Sequence, residues 1–188
     1  MNTVPARLDD RFRAAAAAGG LLDVAYDVVG SPVGDLFVAV SNRGLCAISY
    51  DADAERQIER LARGFGSRVL RSPRPIDPAK RQLDEYFEGK RQRFDLEVDL
   101  RLTRDFGRTV LEELGRVPFG EITTYGALAA KAGKPRAARA VGTIMNRNPI
   151  PIVLPCHRVV GANGSLVGYA GGLERKQTLL QLEGALLA

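Results

Sequence analysis

The chain has 188 residues, of which 45% are hydrophobic and 26% are charged, and its net charge is +5. This composition is typical of a folded globular protein and excludes a mainly disordered one. No apolar run approaches the roughly 20 residues that span a bilayer, and the N-terminus lacks the pattern of a secretory signal. We therefore expect a soluble, cytoplasmic protein that does not bind a membrane.

Cysteine and histidine are scarce in this chain. Cys46, Cys156 and His157 are too few for a four-coordinate structural zinc site built by one chain alone, so we expect no metal site. The two cysteines are far apart and lack a CxxC spacing, which argues against a redox pair. We expect two free thiols, and Cys46 fits a buried small hydrophobic residue of a strand.

The positive charge is concentrated in the second half of the chain. Residues 1–100 carry 15 basic and 16 acidic side chains, whereas residues 101–188 carry 12 basic and 6 acidic ones. The segment between Ile122 and Leu173 contains six basic residues and no acidic one. Such a segment suits a polyanionic partner such as DNA, although a solvated basic face has the same composition.

The pattern of the first half predicts a small α/β domain over residues 21–102, preceded by an extension of residues 1–20. Alternating apolar residues between turns predict a meander of three strands, over 22–29, 34–40 and 44–50. Helical spacing predicts two helices, over 54–64 and 77–89, and charged–apolar alternation predicts a further strand over 95–100.

The second half, residues 103–188, is predicted to be mainly helical. Thr103 and Thr124 can cap two of its helices. The predicted helices over 125–132 and 136–146 are joined by a short glycine-containing turn, which is the outline of a helix-turn-helix and also of an ordinary helical hairpin. A final helix is predicted over 173–182.

The most unusual segment is 148–160, which contains three prolines within seven residues. The prolines exclude a helix and hold Cys156 in a fixed place. A neighbouring imidazole and guanidinium raise the thiolate fraction of a cysteine, and His157 and Arg158 follow directly. Cys156 and His157 also fit ordinary core residues. Direct contact between them is not assured, because adjacent side chains of an extended chain point to opposite faces; a bridging water would remove that difficulty.

Two features downstream of this segment also allow more than one interpretation. The glycine-rich run 168–172 permits close approach to a ligand, or serves as a flexible connector. Glu183 is the only acidic residue after Glu174, and its carboxylate can either orient an imidazole or remain a surface charge.

Together these motifs resemble the family of 6-O-alkylguanine-DNA alkyltransferases, the methylated-DNA–protein-cysteine methyltransferases. The resemblance rests on Pro155-Cys156-His157-Arg158-Val159, on the run 168–172 and on the upstream segments 117–125 and 137–142. It implies an α/β (α+β) fold, with a ribonuclease-H-like N-terminal domain and a mainly helical, winged-helix-like C-terminal domain that binds DNA.

The resemblance also implies direct repair of DNA. The protein would enter the minor groove, flip an alkylated guanine into a pocket and accept its 6-O-alkyl group on the cysteine, once per molecule and without a cofactor. The expected partner is double-stranded DNA that contains alkylated guanine, and the expected state in solution is a monomer. The resemblance does not decide whether 4-O-alkylthymine is repaired or whether the protein binds DNA cooperatively.

Five residues match the chemical machinery of the family. Cys156 matches the nucleophile, and His157 matches the base that deprotonates it through a water. Glu183 matches the carboxylate that orients the imidazole. Asn148 matches the amide that organises the active-site turn, and Tyr125 matches the donor that protonates the leaving guanine.

Further residues match the contacts of the family to substrate and DNA. Arg139 matches the arginine that replaces the extruded base in the stack, and Ala138 lies beside it on a slim helix surface. The remaining expected substrate or DNA contacts are Tyr169, Gly171, Gly172 and Arg158. One departure is Leu111, where members of the family often carry tryptophan, a residue this chain lacks.

Two other classes of protein compete with this interpretation. A lesion-binding protein of the same fold would flip alkylguanine without transferring the alkyl group, but such proteins lack the cysteine, and Cys156 is present. A cysteine–histidine hydrolase would need repeated turnover on an acyl substrate, with His157 in direct contact with the thiol.

Overall fold

The computed structural model describes residues 8, 11, 13, 15, 16 and 19–186, so the predicted extension of residues 1–20 lies mostly outside the described residues. The chain forms two compact units. One comprises Met1–Asp84 and Asp95–Asp99, and the other Glu85–Phe94 and Leu100–Ala188. Residues 85–94, which the sequence assigns to the N-terminal domain, therefore belong to the second unit.

The first unit is built on a four-stranded sheet. Its elements are β1 (Val24–Val29), β2 (Leu36–Ser41), β3 (Gly44–Ser49), α1 (Ala54–Phe65), β4 (Val69–Arg71) and the start of α2 (Asp77–Phe87). The sheet order is β3-β2-β1-β4, with β4 parallel to β1 and the other pairs antiparallel. The predicted three-stranded meander is confirmed, and β4 is a strand that the sequence patterns missed.

The predicted strand over 95–100 is wrong. This segment makes one isolated bridge, between Leu45 and Val98. The Leu45 amide donates to the Glu97 carbonyl at 2.8 Å, and the Asp99 amide donates to the Leu45 carbonyl at 2.8 Å. The pairing stops there, so the charged–apolar alternation reflects a segment that is buried on one side and not a regular strand.

The core of the first unit lies against one face of the sheet. Tyr26 and Phe37 stack with their ring centroids 5.0 Å apart, and Leu61 of α1 is buried against the same cluster. Cys46 is buried in this cluster as a free thiol, as expected. Helix α1 begins at an Asp53 cap, whose carboxylate accepts a hydrogen bond from the Arg56 amide at 3.3 Å.

Gly44, in the β2–β3 turn, lies in close contact with the main chain of Glu97. Its φ is +125°, and a Cβ atom added there would overlap the carbonyl of Glu97. Both the backbone conformation and the close approach of the 95–99 segment therefore require glycine.

We predict that Gly44→Ala lowers the free energy of unfolding by at least about 2 kcal/mol, because it adds backbone strain and a clash with main-chain atoms. Gly20→Ala is the matched control: Gly20 also has a positive φ (+66°), but its Cβ would meet nothing within 4 Å. Urea unfolding of the three proteins measures the difference. Equal losses in both variants would show that the clash at Gly44 contributes nothing.

The second unit is mainly helical. Its elements after the end of α2 are α3 (Asp105–Leu114), β5 (Thr123–Thr124), α4 (Tyr125–Lys131), α5 (Ala138–Asn146), β6 (Val159–Val160) and α6 (Leu173–Leu182). Strands β5 and β6 pair in parallel, so the start of α4 is tied to the chain that follows Cys156. Among the described residues, no helix is long and apolar enough to cross a membrane.

The predicted helix starts of this unit have mixed outcomes. Thr124 caps α4 as predicted, accepting a hydrogen bond from the Ala127 amide at 3.1 Å. Thr103 does not cap α3, because that helix begins two residues later, after Arg104, whose side chain makes no capping hydrogen bond. Helix α5 begins at Ala138, two residues later than predicted, because the preceding residues close a turn in which the Ala137 amide donates to the Lys134 carbonyl.

Candidate active site

The loop between α5 and β6 is organised by the side-chain amide of Asn148. Its Nδ2 donates to the Leu154 carbonyl at 2.8 Å, and its Oδ1 accepts from the Ile150 amide at 3.1 Å. Between these contacts Ile152 has a φ of +75°, a left-handed conformation that is costly for a β-branched residue. The amide thus bridges a strained loop that leads to the 3-10 turn Cys156–Arg158.

Cys156 is the first residue of this turn and is 4% exposed. Burial raises the pKa of its thiol; hydrogen bonds with the side chains of Asn148 and Tyr169 and the positive charge of Lys176 act in the opposite direction. The resting group is therefore a thiol. The groups around it are arranged to stabilise a thiolate once one is formed.

His157 is completely buried and faces the carboxylate of Glu183, with its Nε2 2.8 Å from Oε1. Burial lowers the pKa of the imidazole, against the opposing effect of Glu183, so the ring is neutral at physiological pH. A carboxylate can only accept a hydrogen bond, so the nitrogen that faces it must donate one. The proton of the neutral ring is therefore on Nε2, and the lone pair is on Nδ1. Among the described residues, His157 Nδ1 is the buried side-chain polar atom without a hydrogen-bond partner.

Glu183 is charged despite its burial. Burial alone would raise its pKa, but the hydrogen bonds from His157 and Arg158 outweigh that effect and lower the pKa to about 2. Arg158 donates through Nε to Oε2 at 2.7 Å and through Nη2 to Oε1 at 2.8 Å. Its third donor, Nη1, reaches the Val117 carbonyl at 2.6 Å.

This geometry corrects two expectations for Arg158. The residue is 6% exposed and its guanidinium is bound to Glu183, so it does not lie at a surface where it could contact DNA. For the same reason its charge is directed to Glu183 and does not contribute to the pKa of the Cys156 thiol. Arg158 positions the carboxylate that in turn orients His157.

Two side chains of the site were missed by the sequence patterns. Tyr86, 0% exposed, donates its hydroxyl to Glu183 Oε1 at 2.7 Å. Lys176, also 0% exposed, donates from Nζ to the carbonyls of Val159 at 2.7 Å and Val167 at 2.9 Å. Tyr86 lies in the helix predicted over 77–89 and Lys176 in the one predicted over 173–182, but helical spacing does not report a buried polar partner.

The expected pocket residues lie on the segments around the thiol. The hydroxyl of Tyr125 is 3.3 Å from the Val167 carbonyl and 3.5 Å from that of Gly168. Burial and the neighbouring Cys156 raise the pKa of Tyr125, so its hydroxyl keeps its proton. Tyr169 is half-buried; Gly171 is buried, and Gly172 is exposed with a φ of +88° just before α6.

Arg139 and Ala138 lie on the first turn of α5, away from this hydrogen-bonded network. Arg139 is exposed and makes no ion pair with any residue that the structure describes. Ala138 is half-buried at the start of the helix. The structure therefore brings together the five predicted chemical residues and Tyr169, and it presents Arg139 separately on the surface of α5.

The chemical capacity of the site follows from these contacts. A buried thiol is followed in the chain by a neutral imidazole whose one nitrogen is fixed by a carboxylate and whose other nitrogen has a lone pair available. Within the described part of the chain, no group of three or more histidine, cysteine or acidic side chains could hold a metal ion. Fold and site define a class of proteins in which a buried cysteine is followed by a histidine that a carboxylate orients, in a domain with two short helices joined by a tight turn.

Comparison with known proteins identifies the family. The ribonuclease-like domain of 6-O-methylguanine DNA methyltransferase matches residues 24–100, and its DNA binding domain matches residues 105–185. The methylated-DNA–protein-cysteine methyltransferase of Methanosarcina barkeri is 42% identical over 158 residues, covering 84% of this chain and 96% of the relative. That of Mycolicibacterium paratuberculosis is 42% identical over 160 residues, with 85% and 92% covered. The chain belongs to the 6-O-methylguanine DNA methyltransferase family.

Solved structures agree with this assignment. Mycobacterium tuberculosis O6-methylguanine methyltransferase superposes with a TM-score of 0.74 at 38% identity, covering 86% of this chain and 93% of that one. Mycobacterium tuberculosis OGT in complex with DNA gives a TM-score of 0.75 at the same identity and coverage. The family and the fold class expected from the sequence motifs are confirmed.

We predict that Glu183→Gln lowers the free energy of unfolding at pH 7 by about 3–5 kcal/mol, because it leaves Arg158 buried without its counter-charge. The difference in the free energy of unfolding between the variant and the unmodified protein becomes smaller as the pH falls from 4.5 towards 2. The reason is that Glu183 has a folded-state pKa of about 2 against a usual value of 4.5, so its stabilising charge is complete above pH 4.5 and is lost towards pH 2.

Urea unfolding at pH 7 and pH 3 measures both effects. Asp84→Asn is the matched control, since Asp84 pairs with Lys80 on the surface, with the two side chains 44% and 49% exposed. That change should cost less than about 1 kcal/mol. A similar decrease in the free energy of unfolding in the two variants would contradict the prediction that the buried carboxylate stabilises the protein more than a surface one.

Proposed function

We propose that this protein repairs DNA by transferring the alkyl group of 6-O-alkylguanine in duplex DNA to Cys156, once per molecule. The observation that carries the proposal is the buried Nδ1 of a neutral His157, next to the cysteine in the chain, which has a lone pair and no partner among the residues that the structure describes. The names of the relatives support a methylated-DNA–protein-cysteine methyltransferase activity, and the DNA complex of the Mycobacterium tuberculosis protein supports the partner.

The proposed reaction is a single displacement. His157 Nδ1 takes the thiol proton of Cys156 through a water, and the hydrogen bond to Glu183 stabilises the imidazolium that forms. The thiolate attacks the alkyl carbon, a carbon–sulfur bond forms and the bond from that carbon to guanine O6 breaks. The electron pair goes to the guanine, which Tyr125 protonates, and the proton held by the His157 imidazolium restores the Tyr125 hydroxyl. Because the thioether is stable, the protein is consumed without a cofactor.

The proposed substrate enters as a flipped base. Arg139 is exposed at the start of α5 and makes no ion pair within the described part of the chain, which suits insertion into the stack in place of the extruded guanine. Ala138 keeps the surface beside it slim. Tyr169, Gly171 and Gly172 form the wall of the pocket, where the glycines allow the base to approach the main chain.

We further propose that the protein acts in the cytoplasm as a monomer. Residues 21–102 would form its ribonuclease-H-like domain, and residues 103–188 its catalytic and DNA-binding domain, with residues 85–94 packed into the second unit. Repair of 4-O-alkylthymine is tested by the same assay with that base in the duplex.

The central prediction is a mass change. Incubation with a duplex carrying one 6-O-methylguanine should add one methyl group per protein, on the peptide that contains Cys156, and the signal should saturate at one. Intact-protein mass spectrometry and peptide mapping measure this. Cys156→Ser should give no adduct and keep DNA binding, because a hydroxyl is far harder to ionise than a thiol.

Cys46→Ser is the control, since Cys46 is also a buried free thiol but belongs to the first unit. This variant should accept one methyl group like the unmodified protein. Tight binding without any adduct would point to a lesion-binding protein, and repeated turnover on an ester or peptide would point to a hydrolase. Either result would refute the transfer reaction.

A second prediction concerns Arg139. Arg139→Ala should slow transfer from methylated duplex on the order of 10- to 100-fold, because base flipping costs a few kcal/mol and the arginine offsets part of that cost. Transfer from free benzylguanine should change by less than about twofold, since a free base requires no extrusion. Single-turnover rates measure both, with Arg116→Ala, whose side chain pairs with Glu113, as the control. An equal decrease in transfer rate on both substrates would show that Arg139 supports the folded structure and not base extrusion.

A further inference from the structure

A surface pocket of about 290 Å³ lies between α3 and the C-terminal half of α5, within the second unit. It is lined by Leu102, Thr103, Arg104, Leu111, Thr143, Ile144 and Arg147. Leu111, 1% exposed, and the half-buried Ile144 form an apolar floor, and two exposed arginines stand at the rim. No acidic residue lines the pocket.

Both rim arginines lack a counter-charge. Neither Arg104 nor Arg147 makes an ion pair or a side-chain hydrogen bond with any residue that the structure describes. By contrast, Arg108 on α3 and Arg116 just after it form ion pairs with acidic residues of that helix, Glu112 and Glu113. Two guanidinium groups on one small pocket repel each other unless an anion lies between them, and arginine binds phosphate oxygens through two parallel hydrogen bonds.

The backbone adds positive potential at the same place. Arg104 is the N-cap residue of α3, a helix of ten residues, and its side chain does not cap the free amides of the first turn. The positive end of the helix dipole lies at Arg104, where the carboxylate of Asp105 in the first turn offsets part of it, so the two guanidinium groups supply most of the positive charge of the pocket.

The position of this pocket along α5 relates it to Arg139. Arg147 is the C-cap residue just after α5, eight residues beyond Arg139, and eight residues correspond to about 12 Å along a helix axis. A helix is about 10–12 Å wide, whereas the minor groove is about 6 Å wide. A helix of this width does not fit fully into the groove, so when Arg139 is inserted the end of α5 at Arg147 is available to contact the sugar–phosphate backbone.

We propose that Arg104 and Arg147 form an arginine clamp that grips a backbone phosphate of duplex DNA on one flank of the inserted helix. The clamp rests on the proposed function, since it assumes that Arg139 enters the minor groove. It contributes affinity and sets the register of α5 on the duplex, and it carries no base specificity, because phosphate contacts position a protein without reading sequence. The aliphatic parts of the two arginine side chains pack on the apolar floor, which holds the guanidinium groups in place for the phosphate.

The test is the salt dependence of binding. Fluorescence anisotropy with an unmodified labelled duplex, at several salt concentrations, gives the slope of log K against log salt concentration. Each lost phosphate contact reduces the magnitude of that slope by about 0.9. We expect a reduction of this size for Arg104→Ala and for Arg147→Ala, and a smaller second reduction in the double variant, because both arginines hold the same phosphate.

Arg108→Ala is the matched control, because it removes one exposed arginine from the same helix but one that already pairs with Glu112. Its slope should not change. All variants should accept the benzyl group of free benzylguanine at the unmodified rate, which confirms that they are folded and that the site is intact. Transfer from methylated duplex at high salt should fall at least fivefold in the double variant.

Unchanged slopes in both clamp variants, or an equal change in Arg108→Ala, would overturn the clamp. That result is distinguishable from failure of the proposed function, which would appear as absence of methyl transfer from duplex in the unmodified protein. Slopes reduced in the two clamp variants only, with normal reaction of the free base, support the clamp.

Discussion

The buried carboxylate of Glu183 is the interaction on which the rest of the second unit depends. It accepts hydrogen bonds from Tyr86, His157 and Arg158, and more weakly from the Gly120 amide at 3.4 Å. These donors come from the end of α2, the loop before β5 and the turn that carries the cysteine. A buried charge is tolerated only when it is fully compensated, so this one carboxylate holds three distant segments in a single arrangement.

That arrangement keeps Cys156 and His157 uncharged. Burial disfavours both the thiolate of Cys156 and the imidazolium of His157, so the thiol and the imidazole are both neutral. The groups that would stabilise the charged pair are already in place: Asn148, Tyr169 and Lys176 around the sulfur, and Glu183 behind the imidazole. Preorganised partners of this kind lower the cost of charge that develops during a reaction. The same burial protects the thiol from unspecific chemistry.

Local sequence signals predicted those parts of the fold that local physics decides. The three-stranded meander follows from alternation and turn residues, and the start of α4 follows from the Thr124 cap. The failures are equally physical. Strand β4 has three residues, too few for an alternating pattern, and the 95–99 segment alternates although it makes only one bridge. Thr103 is a good capping residue by type, but α3 begins after Arg104.

The sequence by itself determined which groups are available for chemistry: a proline-held Cys156 followed by His157, a carboxylate at the end of the last helix, and an arginine on a slim helix, in a pattern that identified the family. Only the tertiary structure decided what each group faces. It paired Arg158 with Glu183 instead of DNA, placed Tyr86 on a carboxylate 97 residues away and set two unpaired arginines around one pocket. Such partners are set by packing between distant segments, and neither hydrophobic periodicity nor residue spacing carries that information.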